Sequence, residues 1–293
     1  MGKLAITGGG GFVAGSVIQQ AGSSWDVHAL SGKSPLAKRP GLIWHTLDLK
    51  QPSAVRTALD AITPEVVIHA AAIPDIDFCE KNPALARAVN VGMTAAVADW
   101  CTRKGSRLIF LSSDNVFDGE KGKYVEDDPP APINEYARTK AAGEAIVAGV
   151  ARAVIARVAL VMGFGLLGGG NSFLEKTVPM FRAGTPIYVP PEEIRTPIDV
   201  VTLGRVLLEL AESHFCGILH LAGTEVLDRV TLTRRLAERM GFSPDNVIPR
   251  SPTQIAGRAS RPRDVSLNTT KARSVLKTQL RDFDASVDLI AKP

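Results

Sequence analysis

A row of glycines directly follows the first apolar segment of the chain, and this feature constrains the fold more than any other. The apolar residues 3–6 lead through Thr7 into glycines at positions 8–11. Gly8 can adopt backbone angles that other residues avoid, and Gly11 lets the main chain approach a pyrophosphate closely. Free N–H groups of the next helix would face that anion. The pattern predicts the start of a dinucleotide-binding fold, although Ala14 occupies the third small position of the G-x-x-G-x-x-G spacing.

Short β-branched segments alternate with helical segments up to about Met162, and this rhythm predicts a parallel sheet. The predicted strands are residues 3–7, 26–31, 42–48, 65–71, 107–113 and 153–161. The predicted helices between them are residues 14–21, 52–61, 83–104 and 134–150, and two of these helices begin with Pro in the first turn. Right-handed crossovers then give an α/β fold with a doubly wound parallel sheet of the Rossmann type.

The pattern changes after Met162. Residues 163–171 are glycine-rich, 173–183 look helical, and 186–191 look like a short exposed strand and turn. A helix at 199–213 and an apolar strand at 217–222 predict a return to the sheet, and a helix at 232–240 and a loop at 250–263 follow. We therefore predict a dinucleotide-binding domain over residues 1–164 with a return segment at about 197–222. A smaller C-terminal substrate-binding lobe would comprise residues 165–196 and 223–293.

Composition excludes several classes of protein. A chain of 293 residues with 45% hydrophobic content can bury a sizeable core. No apolar run reaches the roughly 18 to 20 residues of a membrane span, and no signal-peptide pattern precedes the first strand, so we expect no membrane partner and a cytoplasmic location. The three cysteines have no paired or metal-type spacing, so no metal site is predicted. The net charge of +4 is spread without aromatic interleaving, which argues against nucleic acid as a partner.

Three polar residues are candidates for catalysis. Tyr136 and Lys140 are four residues apart, so on a helix they share a face, where the ammonium would favour the phenolate. Ser113 ends the strand at 107–113, at the edge of the sheet where ligands bind in such folds. Each feature alone also fits a chance helix pair or an ordinary cap. Their combination with the glycine turn, in this chain order, favours a redox enzyme that reduces a carbonyl.

Longer motifs carry a resemblance to a known family. They are Ser-Ser-Asp-Asn-Val-Phe-Asp-Gly at 112–119, Tyr-Val-Glu-Asp-Asp-Pro at 124–129, Gly-Glu at 143–144, Arg-Pro-Arg at 261–263, and the segments 64–72 and 89–92. Over nearly its whole length the chain resembles the extended short-chain dehydrogenase/reductase family, and more narrowly its dTDP-4-dehydrorhamnose reductases.

The resemblance implies an NAD(P)-dependent oxidoreductase with Ser113, Tyr136 and Lys140 as catalytic residues. It implies reduction of the 4-keto group of a 6-deoxyhexose linked to a nucleotide diphosphate, so this nucleotide sugar is the expected partner. Hydride would come from the nicotinamide, Tyr136 would protonate the developing alkoxide, Lys140 would hold ribose hydroxyls, and Ser113 would orient the carbonyl.

The end of the second strand bears on the choice of cofactor. An acid there would bind the ribose 2′-hydroxyl of NAD, but residues 28–33 contain none. Ser31 and Lys33 can instead accept a 2′-phosphate, with Lys38 and Arg39 nearby, so we predict NADP(H), with NAD(H) as the alternative. The predicted cofactor-binding residues, some of them implied by the resemblance, are Gly8, Gly10, Gly11, Phe12, Val13, Ser31, Lys33, Asp48, Leu49, Ala70, Ala71, Ala72, Tyr136 and Lys140.

The chain departs from the reductases at two aromatic positions. Asn115 stands where a Tyr usually follows Ser-Thr-Asp. Leu160 stands where a Trp lies two residues before a Tyr-Gly that follows the sixth strand, and this Tyr-Gly is Met162-Gly163 here. Loss of an aromatic platform removes a surface on which a sugar or base could stack, so we expect a changed sugar pocket. The predicted substrate-binding residues are Asp77, Asn115, Asn171, Arg195 and Arg261.

Two other functions stay open at this point. One is a nucleotide-sugar epimerase or dehydratase with a retained NAD. The other is a regulatory protein, because the chain also resembles the regulatory beta subunit of methionine adenosyltransferase, and a fold does not compel a function. A homodimer also stays open, since the sequence carries no evidence on assembly.

Overall fold

The computed structural model describes residues 2–32, 40–165, 167, 172–251 and 258–291. Strands β1 to β13 are Gly2–Thr7, Trp25–Ser31, Leu42–Thr46, Val66–His69, Arg107–Ser113, Ala153–Val158, Val161–Met162, Ile187–Val189, Ile194–Arg195, Ile198–Asp199, Gly217–Leu221, Leu227–Asp228 and Val247–Pro249. Helices α1 to α10 are Phe12–Gln20, Pro52–Ile62, Ile76–Lys81, Pro83–Lys104, Glu135–Val147, Phe173–Ala183, Val200–Glu212, Arg229–Arg239, Thr270–Val275 and Phe283–Ala291.

Seven of these strands form one parallel sheet in the order β11-β6-β5-β4-β1-β2-β3. The order reverses beside β1, because β2 and β3 lie on one side of it while β4, β5 and β6 follow on the other. This is the predicted doubly wound α/β fold, and the reversal creates a crevice at the carboxyl ends of the strands.

Apolar side chains fill both faces of the sheet. Helices α1 and α7 cover one face, where Val17, Ile18 and Leu207 are fully buried. Helices α2 and α4 cover the other face with Leu59 and Trp100. A separate core joins α6, α8 and α10, and it is the core of the smaller lobe. Because both faces are covered, the strands are almost continuously apolar.

Several boundaries differ from the sequence-based predictions. The fourth and sixth strands end at His69 and Val158, before the predicted ends at 71 and 161. Helix α8 begins at Arg229 and not at 232, because Asp228 caps it by accepting from the N–H groups of the first turn. Helices α3, α9 and α10 were not predicted; α3 and α9 have only six residues, too few for a periodic pattern to be distinctive.

The strand at 217–222 pairs with β6 over Gly217–Leu221, as its apolar pattern predicted. Between β6 and β11 the chain forms part of the smaller lobe. The predicted boundaries of the two domains stay a prediction.

No helix in the described part of the chain is long and apolar enough to cross a membrane.

Two histidines buried in the fold make its stability depend on pH. Burial, followed by the charge of Lys140, lowers the pKa of His69 to about 3, and burial together with Arg157 lowers that of His220 to about 3. The unfolded chain binds these protons near pH 6.5, so the stabilisation is complete above that pH and is lost as the pH falls from 6.5 towards 3. We expect the free energy of unfolding to drop by about 2 kcal/mol per buried histidine between pH 7 and pH 5.

Urea unfolding at the two pH values measures this loss. His220→Phe should reduce the difference between them, whereas His214→Gln, at an exposed histidine, should leave it unchanged. An equal loss in wild type and His220→Phe would contradict the assignment of the effect to His220.

Candidate active site

A cavity of about 1280 Å³ opens at the carboxyl ends of the sheet strands and extends to the smaller lobe. Residues at or just after the ends of β1, β2, β3, β4 and β5 line it, together with Tyr136 and Lys140 of α5. The predicted site residues in its lining are Gly8, Gly10, Gly11, Phe12, Val13, Ser31, Asp48, Leu49, Ala70, Ala71, Ala72, Asp77, Ser113, Tyr136, Lys140 and Arg261. The fold therefore brings residues from widely separated segments to one concave surface.

The glycine turn has no room for side chains. Gly8 has a φ of +72°, and a Cβ there would lie 2.9 Å from the Cα of Ala71. The N–H of Gly11 donates to the Gly8 carbonyl at 2.7 Å, and Gly11 then precedes α1 without a capping side chain. A ligand can therefore approach the backbone of this turn and the first N–H groups of α1 directly.

Hydrogen bonds hold the ends of β1 and β4 together behind this turn. The Thr7 hydroxyl lies 2.7 Å from Nδ1 of His69, and the Ala71 N–H donates to the same hydroxyl at 3.2 Å. His69 is thus a buried, hydrogen-bonded histidine of the sheet with Thr94 as a second partner. This arrangement fixes the small residues 70–72 against the turn.

Helix α5 presents Tyr136 and Lys140 to the cavity. Asn134 caps the helix, its side chain accepting from the Ala137 N–H at 2.9 Å. Gly143 allows α5 to pack closely on β5, since a Cβ there would lie 2.6 Å from the Phe110 ring. The Lys140 ammonium lies 4.4 Å from the centroid of that ring. Ser113 ends β5 beside them and is a hydrogen-bonding neighbour of the Tyr136 phenol.

The protonation of Tyr136 differs from the sequence-based expectation. The pKa of Tyr136 is raised to about 12, chiefly by burial; the Ser113 hydrogen bond acts against this rise, and the charges of Asp114 and Cys79 contribute to it. Burial also lowers the pKa of Lys140 to about 8, against the charge of Glu144. Desolvation of the phenolate is the largest cause and Lys140 does not contribute, so the expected lowering of the tyrosine pKa by the ammonium is not found in this structure. A protonated phenol at neutral pH is nevertheless the form that can donate a proton.

Two predicted substrate residues are paired with each other. Arg261 donates to both carboxylate oxygens of Asp77 at 2.7 Å, and the Ala259 N–H donates to the same carboxylate at 2.7 Å. The Arg261 hydrogen bond is the main reason why the pKa of Asp77 falls to about 2, although burial opposes it. This ion pair joins α3 to the smaller lobe at the rim of the cavity.

Two further predicted substrate residues, Arg195 and Asn115, are not in the cavity lining. Arg195 is buried and donates to the carbonyls of Ile194, Pro262 and Arg263. Asn115 donates to the Asp114 carboxylate at 2.8 Å. Their roles stay predictions. Asn171, Lys33, Lys38 and Arg39 lie outside the described residues.

Sequence reasoning missed several residues of the cavity. Lys176 brings a cation from α6, while Met93 and Ile73 contribute apolar surface. None of them belongs to a spacing motif, so no signal in the sequence marked them. Asp114 is buried beside Ser113, and burial raises its pKa; the segment 112–119 contained it, but without an assigned role.

The segment at 116–119 is in contact with the lobe. Gly119 has a φ of +85°, and a Cβ there would lie 2.5 Å from the backbone nitrogen of Arg263. Phe117 stacks on Tyr124 with a centroid distance of 4.1 Å, and the Tyr124 hydroxyl donates to Asp118. This motif therefore holds the segment that carries Arg261 against the sheet domain.

Comparisons with known proteins agree with this geometry. The dTDP-4-dehydrorhamnose reductase of Mycobacterium tuberculosis is 32% identical over 292 residues, covering 97% of this chain and 91% of that protein. The methionine adenosyltransferase 2 subunit beta of Rattus norvegicus is 27% identical, covering 93% and 82%. A crystal structure of the Bacillus anthracis dTDP-4-dehydrorhamnose reductase, in complex with NADP, superposes with a TM-score of 0.88 at 24% identity, covering 99% of this chain and 98% of that one.

The structural likeness shows a shared fold, and the sequence comparisons decide the family. The sequence model of the RmlD substrate binding domain matches residues 2–293, the same stretch that forms the sheet, the cavity and the smaller lobe. The chain therefore belongs to the RmlD substrate binding domain family, within the extended short-chain dehydrogenase/reductases.

Proposed function

We propose that the protein reduces the 4-keto group of a 6-deoxyhexose linked to a nucleotide diphosphate, with NADPH as the hydride donor. One observation carries the proposal: Ser113, Tyr136 and Lys140 line the same cavity as the glycine turn. The relative named dTDP-4-dehydrorhamnose reductase in M. tuberculosis supports the same reaction. The protein is accordingly an oxidoreductase of the short-chain dehydrogenase/reductase type.

The cavity fits a dinucleotide. A Cβ at Gly8 or Gly11 would meet the backbone of Ala71 or of Gly8, so the turn carries no side chains, and three alanines, at 70–72, line the cavity beside it. Gly10, Phe12 and Val13 would contact the pyrophosphate end, and Asp48 and Leu49 the adenine end. Ser31 ends β2 in the cavity lining, and the sequence of residues 28–33 contains no acid, which supports NADP(H) over NAD(H). The NADP complex of the B. anthracis reductase supports the same preference.

Ser113, Tyr136 and Lys140 would each have a separate role in the reduction. A bound nicotinamide supplies the hydride. Ser113 donates a hydrogen bond that orients the keto oxygen, and Tyr136 donates the proton that the developing alkoxide needs. Lys140 places a positive charge beside the tyrosinate that remains and holds ribose hydroxyls. Protonated Tyr136, with its pKa raised to about 12, is ready for this step at neutral pH.

Among the residues that the structure describes, two cations lie on the substrate side of the cavity, and one of them, Arg261, is paired with Asp77. Arg261 and Lys176 line it from the smaller lobe, where their charges suit a diphosphate. Asp77 is placed to bind the sugar or to set the position of Arg261. Asn115, Asn171 and Arg195 complete the proposed substrate set.

The proposed setting is the cytoplasm, with no nucleic acid or membrane partner. The thiols of Cys79, Cys101 and Cys216 are free, which supports a reducing compartment. The proposed assembly is a homodimer, and light scattering of the purified protein tests it.

Absorbance at the nicotinamide band tests the proposed reaction. Mixing the protein with NADPH and dTDP-4-dehydrorhamnose should oxidise NADPH stoichiometrically, with NADH oxidised at least about tenfold more slowly. Turnover of a nucleotide sugar without added cofactor, by protein that retains NAD through purification, would instead identify an epimerase or dehydratase. Absence of oxidation together with stoichiometric capture of a methionine adenosyltransferase would identify a regulatory subunit.

A further inference from the structure

A buried ion pair lies directly behind the catalytic residues. Arg157 on β6 and Glu144 on α5 are 1% and 5% exposed. Arg157 Nε lies 3.1 and 3.2 Å from the two carboxylate oxygens of Glu144, and Nη2 lies 2.9 Å from Oε2. The guanidinium also donates to the Glu126 carbonyl at 3.1 Å and lies 5.0 Å from the centroid of the Phe117 ring. The pair is therefore fixed on every side.

The same carboxylate reaches the end of β5. Ser112 Oγ donates to Glu144 Oε1 at 2.5 Å, and Ser112 immediately precedes Ser113. Glu144 also lies one helical turn after Lys140 and two turns after Tyr136, on the same face of α5. Glu144 is therefore part of the helix that carries Tyr136 and Lys140, and it is hydrogen-bonded to the strand that carries Ser113.

Stability alone is a poor explanation for such a pair. Removing two charges from water is costly, and buried ion pairs replaced by apolar residues of similar volume are often equally stable or more stable. A role in the site is the better explanation because the pair contacts the catalytic strand and the catalytic helix together.

We propose that Glu144, held by Arg157, is a positioning residue that fixes the Lys140 ammonium and the Ser112–Ser113 strand end relative to one another. The inference rests on the proposed reductase function. Glu144 does not touch the reacting atoms; it acts through Lys140 and Ser112.

Among the described residues, few other charges lie near Lys140. From α5 it faces Glu144 and the neutral Tyr136, and from β5 it faces the Phe110 ring. His69 on β4 is also near, but burial keeps it neutral at any pH above about 3. Glu144 therefore opposes the effect of burial on Lys140, whose pKa is about 8. Loss of the carboxylate charge should lower that pKa and reduce the protonated fraction of Lys140 at neutral pH.

The pH profile of kcat separates this role from a purely structural one. Glu144→Gln keeps the shape of the side chain and a hydrogen-bond acceptor. In this variant we expect the alkaline limb of the profile to lie at a pH about one unit lower than in wild type. In the matched variant Ser112→Ala the hydrogen bond to the strand end is lost but the charge stays, so turnover should fall with the limb in place. Glu144→Asp, which keeps the charge, should restore the wild-type limb.

The pH dependence of NADPH affinity, measured by fluorescence titration, gives a second readout that needs no turnover. A lower pKa of Lys140 should shift this dependence in the same direction. If Glu144→Gln does not fold, Arg157→Gln provides the opposite test. An unpaired Glu144 carboxylate should move the alkaline limb of kcat and the pH dependence of NADPH affinity to higher pH.

An alkaline limb that stays in place in Glu144→Gln, together with reduced turnover at every pH, would overturn the proposal and leave a structural pair. Wild-type protein that binds NADPH but does not oxidise it would instead overturn the reductase function, and the NADPH titrations would still test the effect of Glu144 on Lys140.

Discussion

Tyr136→Phe is expected to lose reductase turnover by about 10² to 10⁴-fold, the range that a positioned proton donor contributes. The phenol is buried and protonated at neutral pH, and no other phenol lines the cavity within the described residues. The phenyl ring keeps its packing, so NADPH affinity should stay within about threefold of wild type. Stopped-flow or steady-state NADPH oxidation measures the first quantity, and fluorescence titration the second.

Tyr188→Phe is the matched control for this substitution. Tyr188 is exposed on β8 with the Arg250 guanidinium over its ring, remote from the cavity lining. Loss of its hydroxyl should leave both kinetics and NADPH binding unchanged. Full turnover in Tyr136→Phe would exclude Tyr136 as the proton donor and would direct attention to Ser113 or to a solvent-derived proton.

Gly8→Ala should abolish useful cofactor binding, with NADPH affinity reduced on the order of 100-fold. Two effects combine at this residue. A φ of +72° costs an alanine about 1–2 kcal/mol, and its Cβ would lie 2.9 Å from backbone atoms of Ala71. Relief of that contact requires residues 70–72 to move away from the turn, which displaces the surface that would hold the dinucleotide. Fluorescence titration with NADPH and urea unfolding measure the two effects separately.

Gly92→Ala is the matched glycine control. Gly92 lies inside α4, and a Cβ there would have no neighbour within 4 Å. Helix propensity alone then applies, and the free energy of unfolding should rise by up to about 1 kcal/mol with unchanged NADPH affinity. Equal NADPH affinity in Gly8→Ala and wild type would mean that the dinucleotide does not bind along the glycine turn.

Local patterns in the sequence predicted much of the fold. The alternation of β-branched and helical segments located the six strands of the first half, and the apolar run at 217–222 predicted a return to the sheet. The helix at 83–104 begins and ends as predicted because Pro83 starts it and Gly105, with a φ of +68°, ends it. Such signals are local, so no tertiary information is needed to read them.

The site was harder to predict because its electrostatics depend on contacts between distant segments. Tyr136 and Lys140 were found from their spacing, yet the depth of burial that sets their pKa values belongs to the whole fold. Arg261 was predicted to bind the substrate, and the sequence did not indicate that it is paired with Asp77, which lies 184 residues earlier in the chain. No periodicity in the sequence connects two such positions.

Strand β11 lies far behind its sheet partner β6 in the sequence, and this separation affects the chain during its synthesis. On the ribosome, β6 is synthesised long before Gly217–Leu221, and residues 159–216 emerge in between. Until then the backbone donors and acceptors along the outer side of β6 have no partner, beside buried residues such as Val154 and Ile155. A nascent or truncated chain that ends before β11 would present this unpaired apolar edge to other chains, which is where association during synthesis would begin.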